Sequence, residues 1–209
     1  MKISSESDFK HISYVGVYFQ PGSAGNFFSR SLSLCGPDWY YLELNTVDTE
    51  KKFNLISYRH APNYKTWPQF EDIYGGNSRR ELPEDSVNIY SMHLDCKTLF
   101  TSDIVGDDDR LITILIDPQE HMEFVIANAK KKDSVHPQNY PPNEIEDFKK
   151  ANTVHHTVLL ENIVKSESSL LGEIEQVAKL VNKKLTDKSQ DYIIRLYREW
   201  LNTIPNNLI

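Results

Sequence analysis

The segment from Ser13 to Leu34 constrains the fold of this chain more than any other stretch. Residues 14–19 are an alternating run of β-branched and aromatic side chains, which predicts a buried strand. The run breaks at the small residues of 21–25, and the apolar spacing of 26–34 predicts a short helix. A glycine-containing turn between a strand and a helix is typical of phosphate or sulfate sites, because the turn amides and the positive helix end attract an anion. The alternative is an ordinary tight connection that binds no ligand.

The composition indicates one α/β domain spanning residues 1–209, with 39% hydrophobic and 25% charged residues. The net charge of −7 argues against a nucleic-acid partner, because a protein that binds nucleic acid needs a basic face. No apolar run approaches the roughly 20 residues that span a membrane, and the first residues lack the apolar stretch of a signal peptide. Cys35 and Cys96 lack CxxC spacing, which favours reduced core thiols. We therefore expect a cytoplasmic protein without a membrane partner, and its oligomeric state stays open.

Strands and helices are predicted to alternate along the rest of the chain. The continuously apolar residues 111–116 are typical of a central parallel strand that is covered on both faces. Asp117, followed by Pro118, is predicted to cap the next helix. The pattern favours a three-layer α/β/α fold with a mostly parallel sheet. Further strands are expected at 39–44, 87–92 and 157–160, and helices at 117–132, 143–151, 166–182 and 187–203, the last capped by Asp187.

Residues 45–86 are expected to form a loop-rich insertion. They contain several prolines and glycines together with many aromatic residues, and a short helix is predicted near 67–74. The aromatic side chains are interpreted as anchors of this segment to the body of the protein, the alternative being that they line a substrate cleft. The C-terminal helices are assigned to residues 166–204.

Three motifs follow one another along this framework. They are the turn Pro21-Gly22-Ser23-Ala24-Gly25-Asn26-Phe27, then Ile116-Asp117-Pro118, and then Leu159-Leu160-Glu161-Asn162-Ile163 before an amphipathic helix. In order and spacing they resemble the P-loop-like sulfotransferase family, which uses 3′-phosphoadenosine 5′-phosphosulfate as sulfuryl donor. The resemblance covers residues 13–182 and implies a P-loop NTPase-like fold. It also implies transfer of a sulfuryl group to a hydroxyl of a carbohydrate or small-molecule acceptor.

The resemblance implies which residues contact the donor, and the sequence departs from the family at two of the charged positions. Gly22 stands where the family has a lysine, and Ile116 where it has an arginine for the 3′-phosphate. A charge-assisted contact contributes about 1.5–3 kcal/mol, so donor binding needs a replacement cation. Arg30 is the nearest candidate, followed by Arg59, Arg79 and Arg80, although each is also explained as a solvated surface side chain. The donor-binding residues implied are Gly22, Ser23, Ala24, Gly25, Asn26, Phe27, Arg30 and Asp117.

A general base is sought among residues at strand ends, because open α/β sheets bind ligands there. His93 closes the third strand and looks like a histidine that often stands there in the family; the alternative is a partly buried histidine bonded to backbone. Glu43, expected to close the second strand, is the next candidate, and Asp95 could orient His93. His60 could enter a cleft, His121 could meet a phosphate, and His155 and His156 are interpreted as surface residues. No metal is expected, since the acidic turn 106–109 lacks the ligand spacing of a calcium loop.

Two functions remain open from the sequence. One is a divergent sulfotransferase-like enzyme that uses the donor named above. The other is a non-catalytic binding or interaction protein that keeps the fold but has lost the donor-binding charges. If the chain is an enzyme, we expect a basic pocket around residues 22–27. If it is a binding protein, we expect the loop at these residues to be uncharged or closed.

Overall fold

Strands and helices alternate through the part of the chain that the computed structural model describes, which is residues 13–47, 52–58, 85–94, 111–119, 121–130 and 143–204. The elements there are β1 (Ser13–Phe19), α1 (Gly25–Leu32), β2 (Trp39–Val47), β3 (Lys52–Tyr58), β4 (Val87–His93), β5 (Leu111–Asp117), α2 (Met122–Lys130), α3 (Glu144–Ala151), β6 (His156–Leu159), α4 (Leu160–Lys165), α5 (Glu167–Leu180) and α6 (Asp187–Leu201).

The strands form one sheet in the order β3-β2-β4-β1-β5-β6. β3 pairs antiparallel with β2 at one edge, and all other neighbouring strands are parallel. β1 lies between β4 and β5, with Phe19 in register with His93 and Tyr18 in register with Leu115. The α/β class and the mostly parallel sheet are therefore confirmed, and the apolar strand at 111–116 is an interior strand, as expected.

Side chains of β1 alternate between the two faces of the sheet and are buried on both. Val15, Val17 and Phe19 belong to the larger core, to which α1, α2, α4, α5 and α6 all contribute. Tyr18 belongs to a smaller core on the other side, with Leu115 and with Phe148 of α3. The ring centroids of Tyr18 and Phe148 are 4.8 Å apart. Because both faces of β1 and β5 are covered, their sequences are nearly continuous runs of apolar residues.

The described part of the segment 45–86 is less irregular than its sequence predicts. β2 continues to Val47, and residues 52–58 form β3, which pairs with β2 over its whole length. The alternation of polar and apolar residues at 52–55 is compatible with a strand, and pairing with β2 supplies the backbone hydrogen bonds that hold it. The predicted helix near 67–74 lies outside the described residues.

The second motif does not begin a helix at Asp117. Asp117 is the last residue of β5, and its Oδ1 accepts a hydrogen bond from the Gln119 amide at 3.0 Å. Gln119 has a φ of 42°, which a helix does not allow, so α2 begins only at Met122. The predicted cap of the last helix is also displaced by one residue. Thr186 caps α6, where it forms a capping box with Ser189, and Asp187 is the first helical residue.

Candidate anion-binding site at the carboxyl edge of the sheet

The topology brings three predicted site segments to one edge of the sheet. From β1 the chain passes through α1 to β2 on one side, whereas from β5 it passes to β6 on the other. Open α/β sheets bind ligands at the carboxyl ends of strands where the direction of winding reverses in this way. The loop after β1 lies at this point, flanked by the ends of β4 at His93 and of β5 at Asp117.

The loop from Gln20 to Ala24 is held in a fixed conformation. Gly22 has a φ of 93° and Ala24 a φ of 61°, in the left-handed region that costs an L-residue roughly 1 kcal/mol. Both the amide and the hydroxyl of Ser23 donate to the Gln20 carbonyl, at 3.0 and 2.6 Å. Ser23 thus closes the loop and offers neither donor to an anion. Ala24 is the N-cap of α1 and makes no side-chain cap, so no cap competes with a ligand for the first α1 amides.

Two other residues of the predicted loop have packing roles. A Cβ on Gly25 would lie 2.0 Å from Cγ of Phe19, so only glycine lets α1 begin this close to β1. Phe27 is buried and its ring stacks on Trp200 of α6, with centroids 4.0 Å apart and planes 10° apart. Gly25 has no side chain, and the Phe27 side chain is buried against α6, so neither residue offers a side-chain contact to a ligand.

Asn26 and Arg30 are the exposed residues of α1, one turn apart on the same face. Asn26 Oδ1 accepts a hydrogen bond from Ser91 Oγ of β4 at 2.8 Å. Arg30 lies in the last turn of α1, and side chains of a helix lean toward its N-terminus. Arg30 is the exposed basic residue of α1, on the face that it shares with Asn26.

Asp117 is already paired. Its Oδ2 lies 2.9 Å from Lys149 Nζ of α3, and the Asp117 hydrogen bond is the main cause that raises the pKa of Lys149. Beside this pair, Gln20 Nε2 donates to Glu144 Oε2, also of α3, at 2.9 Å. α3 thus contributes charged groups to the carboxyl edge. No sequence signal singled out Lys149 or Gln20, because an ordinary amphipathic helix does not reveal which strand end it covers.

The two candidate bases, His93 and Glu43, lie at different positions along their strands, one at the carboxyl end and one inside the strand. His93 closes β4 and is in register with Phe19, as expected for a residue at the carboxyl edge. Glu43 does not close its strand; it lies inside β2, opposite Ile56 of β3, because β2 is longer than predicted. Asp95, His60, Arg59, Arg79 and Arg80 lie outside the described residues.

His155 and His156 lie at the amino edge, where β6 begins. His155 Nδ1 accepts from the Thr113 amide at 3.0 Å. His156 is half-buried, and its Nε2 lies 2.6 Å from Glu173 Oε2. His155 is exposed, as expected, whereas His156 is only partly exposed, because it bonds a partner from α5 that is distant in the chain.

The described residues contain neither a metal-binding cluster nor a membrane-spanning helix. No three His, Cys, Asp or Glu side chains there are grouped so that they could hold a metal ion. No helix in the same residues has the length and apolar character needed to cross a membrane. No family model matches this chain, and comparisons with curated proteins and with solved structures found no match either.

Proposed function

We propose that this chain is a divergent sulfotransferase-like protein, which transfers a sulfuryl group from 3′-phosphoadenosine 5′-phosphosulfate to a hydroxyl of a carbohydrate or small-molecule acceptor. The observation that carries the proposal is the connection from β1 to α1. It joins the interior strand β1 to a helix without a side-chain cap, at the reversal of winding in the sheet. Backbone amides and a helix N-terminus at this place suit the phosphosulfate end of such a donor.

The residues around the loop fit an anion at this end of the donor. The first turn of α1 supplies amides and a partial positive charge, and Arg30 supplies a full charge on the exposed face of the same helix. Lys149 neutralises the carboxylate of Asp117, and the carboxylate of Glu144 accepts from Gln20 Nε2 at the start of the loop. The bound donor would supply the sulfuryl group.

The roles of this chain in the transfer are positioning and proton removal. Loop amides and Arg30 would hold the anionic group in line with the acceptor and stabilise the charge that develops on it. His93, at the carboxyl edge, would accept the proton of the acceptor hydroxyl, and Glu43 is the second candidate for this base.

The second candidate function is a non-catalytic binding protein. The bonding of Ser23 to Gln20 and the packing of Phe27 on Trp200 favour it, because both residues serve the fold where the enzyme would use a donor contact. Binding of the spent donor separates the two functions.

The test is calorimetric titration with adenosine 3′,5′-bisphosphate. If Arg30 makes one charged contact, Arg30→Ala should weaken binding by roughly ten- to a hundredfold, which corresponds to about 1.5–3 kcal/mol. The matched control is Arg195→Ala, which removes an exposed arginine from α6 and should leave the affinity unchanged. Both variants should have nearly the same melting temperature as the unmodified protein.

Each other outcome has a definite meaning. If the unmodified protein binds no nucleotide at millimolar concentration, the enzyme proposal is wrong and the binding protein takes its place. If it binds and Arg30→Ala behaves like Arg195→Ala, the donor is held by a different cation.

A further inference from the structure

A cavity lies at the turn between α5 and α6, away from the candidate site at the carboxyl edge. Its volume is about 480 Å³, which is within the range of small-molecule sites. Lys183, one of its lining residues, forms an ion pair with Asp38 at 2.6 Å. Asp38 directly precedes β2, and its carbonyl accepts from the first amide of β4 at 2.9 Å. The cavity therefore lies near the amino ends of these two parallel strands.

The turn at the end of α5 brings three lysines to this cavity. Asn182 has a φ of 56°, in the left-handed region where helices commonly end. The amide of Lys183 donates back to the Ala178 carbonyl at 2.8 Å, so the chain reverses over the end of the helix. Lys183 and Lys184 consequently line the same cavity as Lys179, which precedes the turn. The carbonyls of Ala178 and Lys179 already accept from amides of the turn.

The charged groups around the cavity leave one positive charge in excess. Three ammonium groups line it, against the carboxylate of Glu175 and that of Asp38, which pairs with Lys183. Lys179 and Lys184 are exposed, and neither has an ion-pair partner within the described residues. A lysine in the last helical turn is explained by the helix dipole alone, but Lys184 lies beyond the end of α5. In a chain of net charge −7, this local excess favours an anionic ligand with a single charge.

The surfaces between the charges are aliphatic. Ala178 is buried, and Leu185 packs against the larger core. The methylene stems of lysine side chains also cover apolar surface while their ammonium groups stay in water. Aliphatic walls suit an alkyl chain, whose burial is favourable for every methylene removed from water. Ammonium groups at the rim suit a carboxylate.

We propose that this cavity binds a straight-chain aliphatic carboxylate. The alkyl chain lies against Ala178 and Leu185, and the carboxylate lies between Lys179 and Lys184. The cavity shares no residue with the candidate site at the carboxyl edge. This second site goes beyond the proposed function, and either one can fail without the other.

Titration of the ¹⁵N-labelled full chain with octanoate, followed through its amide resonances, tests the proposal. The amides of residues 178–185 should shift and saturate. Acetate has the carboxylate without the chain and should bind more than tenfold more weakly, because it buries fewer methylenes. Octan-1-ol has the chain without the charge and should bind about five- to tenfold more weakly, as expected for contacts to exposed lysines.

A pair of double variants tests the two lysines. Lys179→Gln with Lys184→Gln should weaken octanoate binding by about five- to tenfold and leave octan-1-ol binding unchanged. Lys150→Gln with Lys165→Gln is the matched control, because it removes the same charge from exposed positions on α3 and α4. The control should bind octanoate like the unmodified protein, and both double variants should keep its melting temperature.

Three other outcomes would each overturn the proposal. If octanoate at millimolar concentration shifts none of the amides of residues 178–185, the cavity does not bind the ligand. If octan-1-ol binds as tightly as octanoate, or if the two double variants bind octanoate equally well, Lys179 and Lys184 do not recognise a carboxylate. If acetate binds as tightly as octanoate, the aliphatic walls do not hold a chain.

Discussion

At the scale of single residues, Gly25 and Gly172 differ in whether the structure has space for a side chain at their position. A Cβ on Gly25 would meet the Phe19 ring at 2.0 Å, and this ring is buried. Gly172 lies in α5 with nothing within 4 Å of the position of a Cβ. We expect Gly25→Ala to destabilise the protein by about 1–3 kcal/mol through overpacking. Gly172→Ala should stabilise it by about 1 kcal/mol, because alanine favours the helix.

Urea unfolding of both variants measures the two effects. The double variant Gly25→Ala with Phe19→Leu should recover part of the loss, since the smaller side chain leaves space for the new methyl group. A Gly25→Ala protein that unfolds at the urea concentration of the unmodified protein would show that the Phe19 ring does not fix the start of α1.

The glycine turn illustrates how far sequence reasoning reaches at this scale. The pattern at 21–25 predicted a turn between strand and helix, and the structure has one there. The reason for Gly25 could not be predicted, because it is a contact with a ring that points across the turn. Lys149 could not be predicted either, since its role depends on which strand end α3 covers.

At the scale of elements, the start of α6 is set by Thr186. Its side chain accepts from the Ser189 amide, and Ser189 Oγ accepts from the Thr186 amide, which completes a capping box. Thr186→Ala should cost about 1 kcal/mol of unfolding free energy. Asp187→Ala should cost only about 0.3–0.5 kcal/mol, because Asp187 acts on the helix dipole alone.

Thermal or urea unfolding of the two variants distinguishes the cap from its neighbour. Thr186→Ser retains the hydroxyl and should stay close to the unmodified protein. The order of the two alanine variants is decisive: if Asp187→Ala were the more destabilising, the cap would be Asp187, as the sequence predicted.

Element boundaries were predicted less well than the elements themselves. Apolar spacing placed the α5 and α6 helices, and Leu170, Ile174 and Ile193 are buried as that spacing requires. The sequence Asp117-Pro118 is typical of a helix start. In the structure, however, Asp117 is the last residue of β5, and its carboxylate forms an ion pair with Lys149. The sequence does not distinguish an aspartate that caps a helix from one that ends a strand when the partner of its carboxylate is distant in the chain.

At the scale of the whole molecule, the alternation of strands and helices predicted the parallel sheet but not its order. The order β3-β2-β4-β1-β5-β6 follows from which side each connection crosses. Strand patterns do not contain this information. The convergence of the loop, His93 and Asp117 at one edge was nevertheless predictable, because parallel strands end on the same side. The charges that flank this edge depend on helices packed across both faces, which only the tertiary structure supplies.

A polar cluster away from the candidate site joins β6, α4 and α5 and makes global stability depend on pH. Glu173 receives a hydrogen bond from Asn162 Nδ2 and one from His156 Nε2 at 2.6 Å. Burial raises the pKa of Glu173, but the hydrogen bonds from His156 and Asn162 and the electrostatic attraction of His156 together outweigh it, so this pKa lies below its ordinary value of 4.5. The ionised carboxylate is thus favoured in the folded protein over the unfolded chain.

A lowered folded pKa fixes the sign of the pH dependence. The stabilising contribution of Glu173 is fully present above its unfolded value of 4.5 and is lost as the pH falls through the lower folded pKa. Glu173→Gln removes the titration, so its unfolding free energy should fall less steeply than that of the unmodified protein as the pH is lowered below that value. Glu175→Gln, two residues further along α5, is the control and should follow the unmodified protein. Urea unfolding across this acidic range measures the slopes, and three parallel curves would show that Glu173 does not link stability to pH.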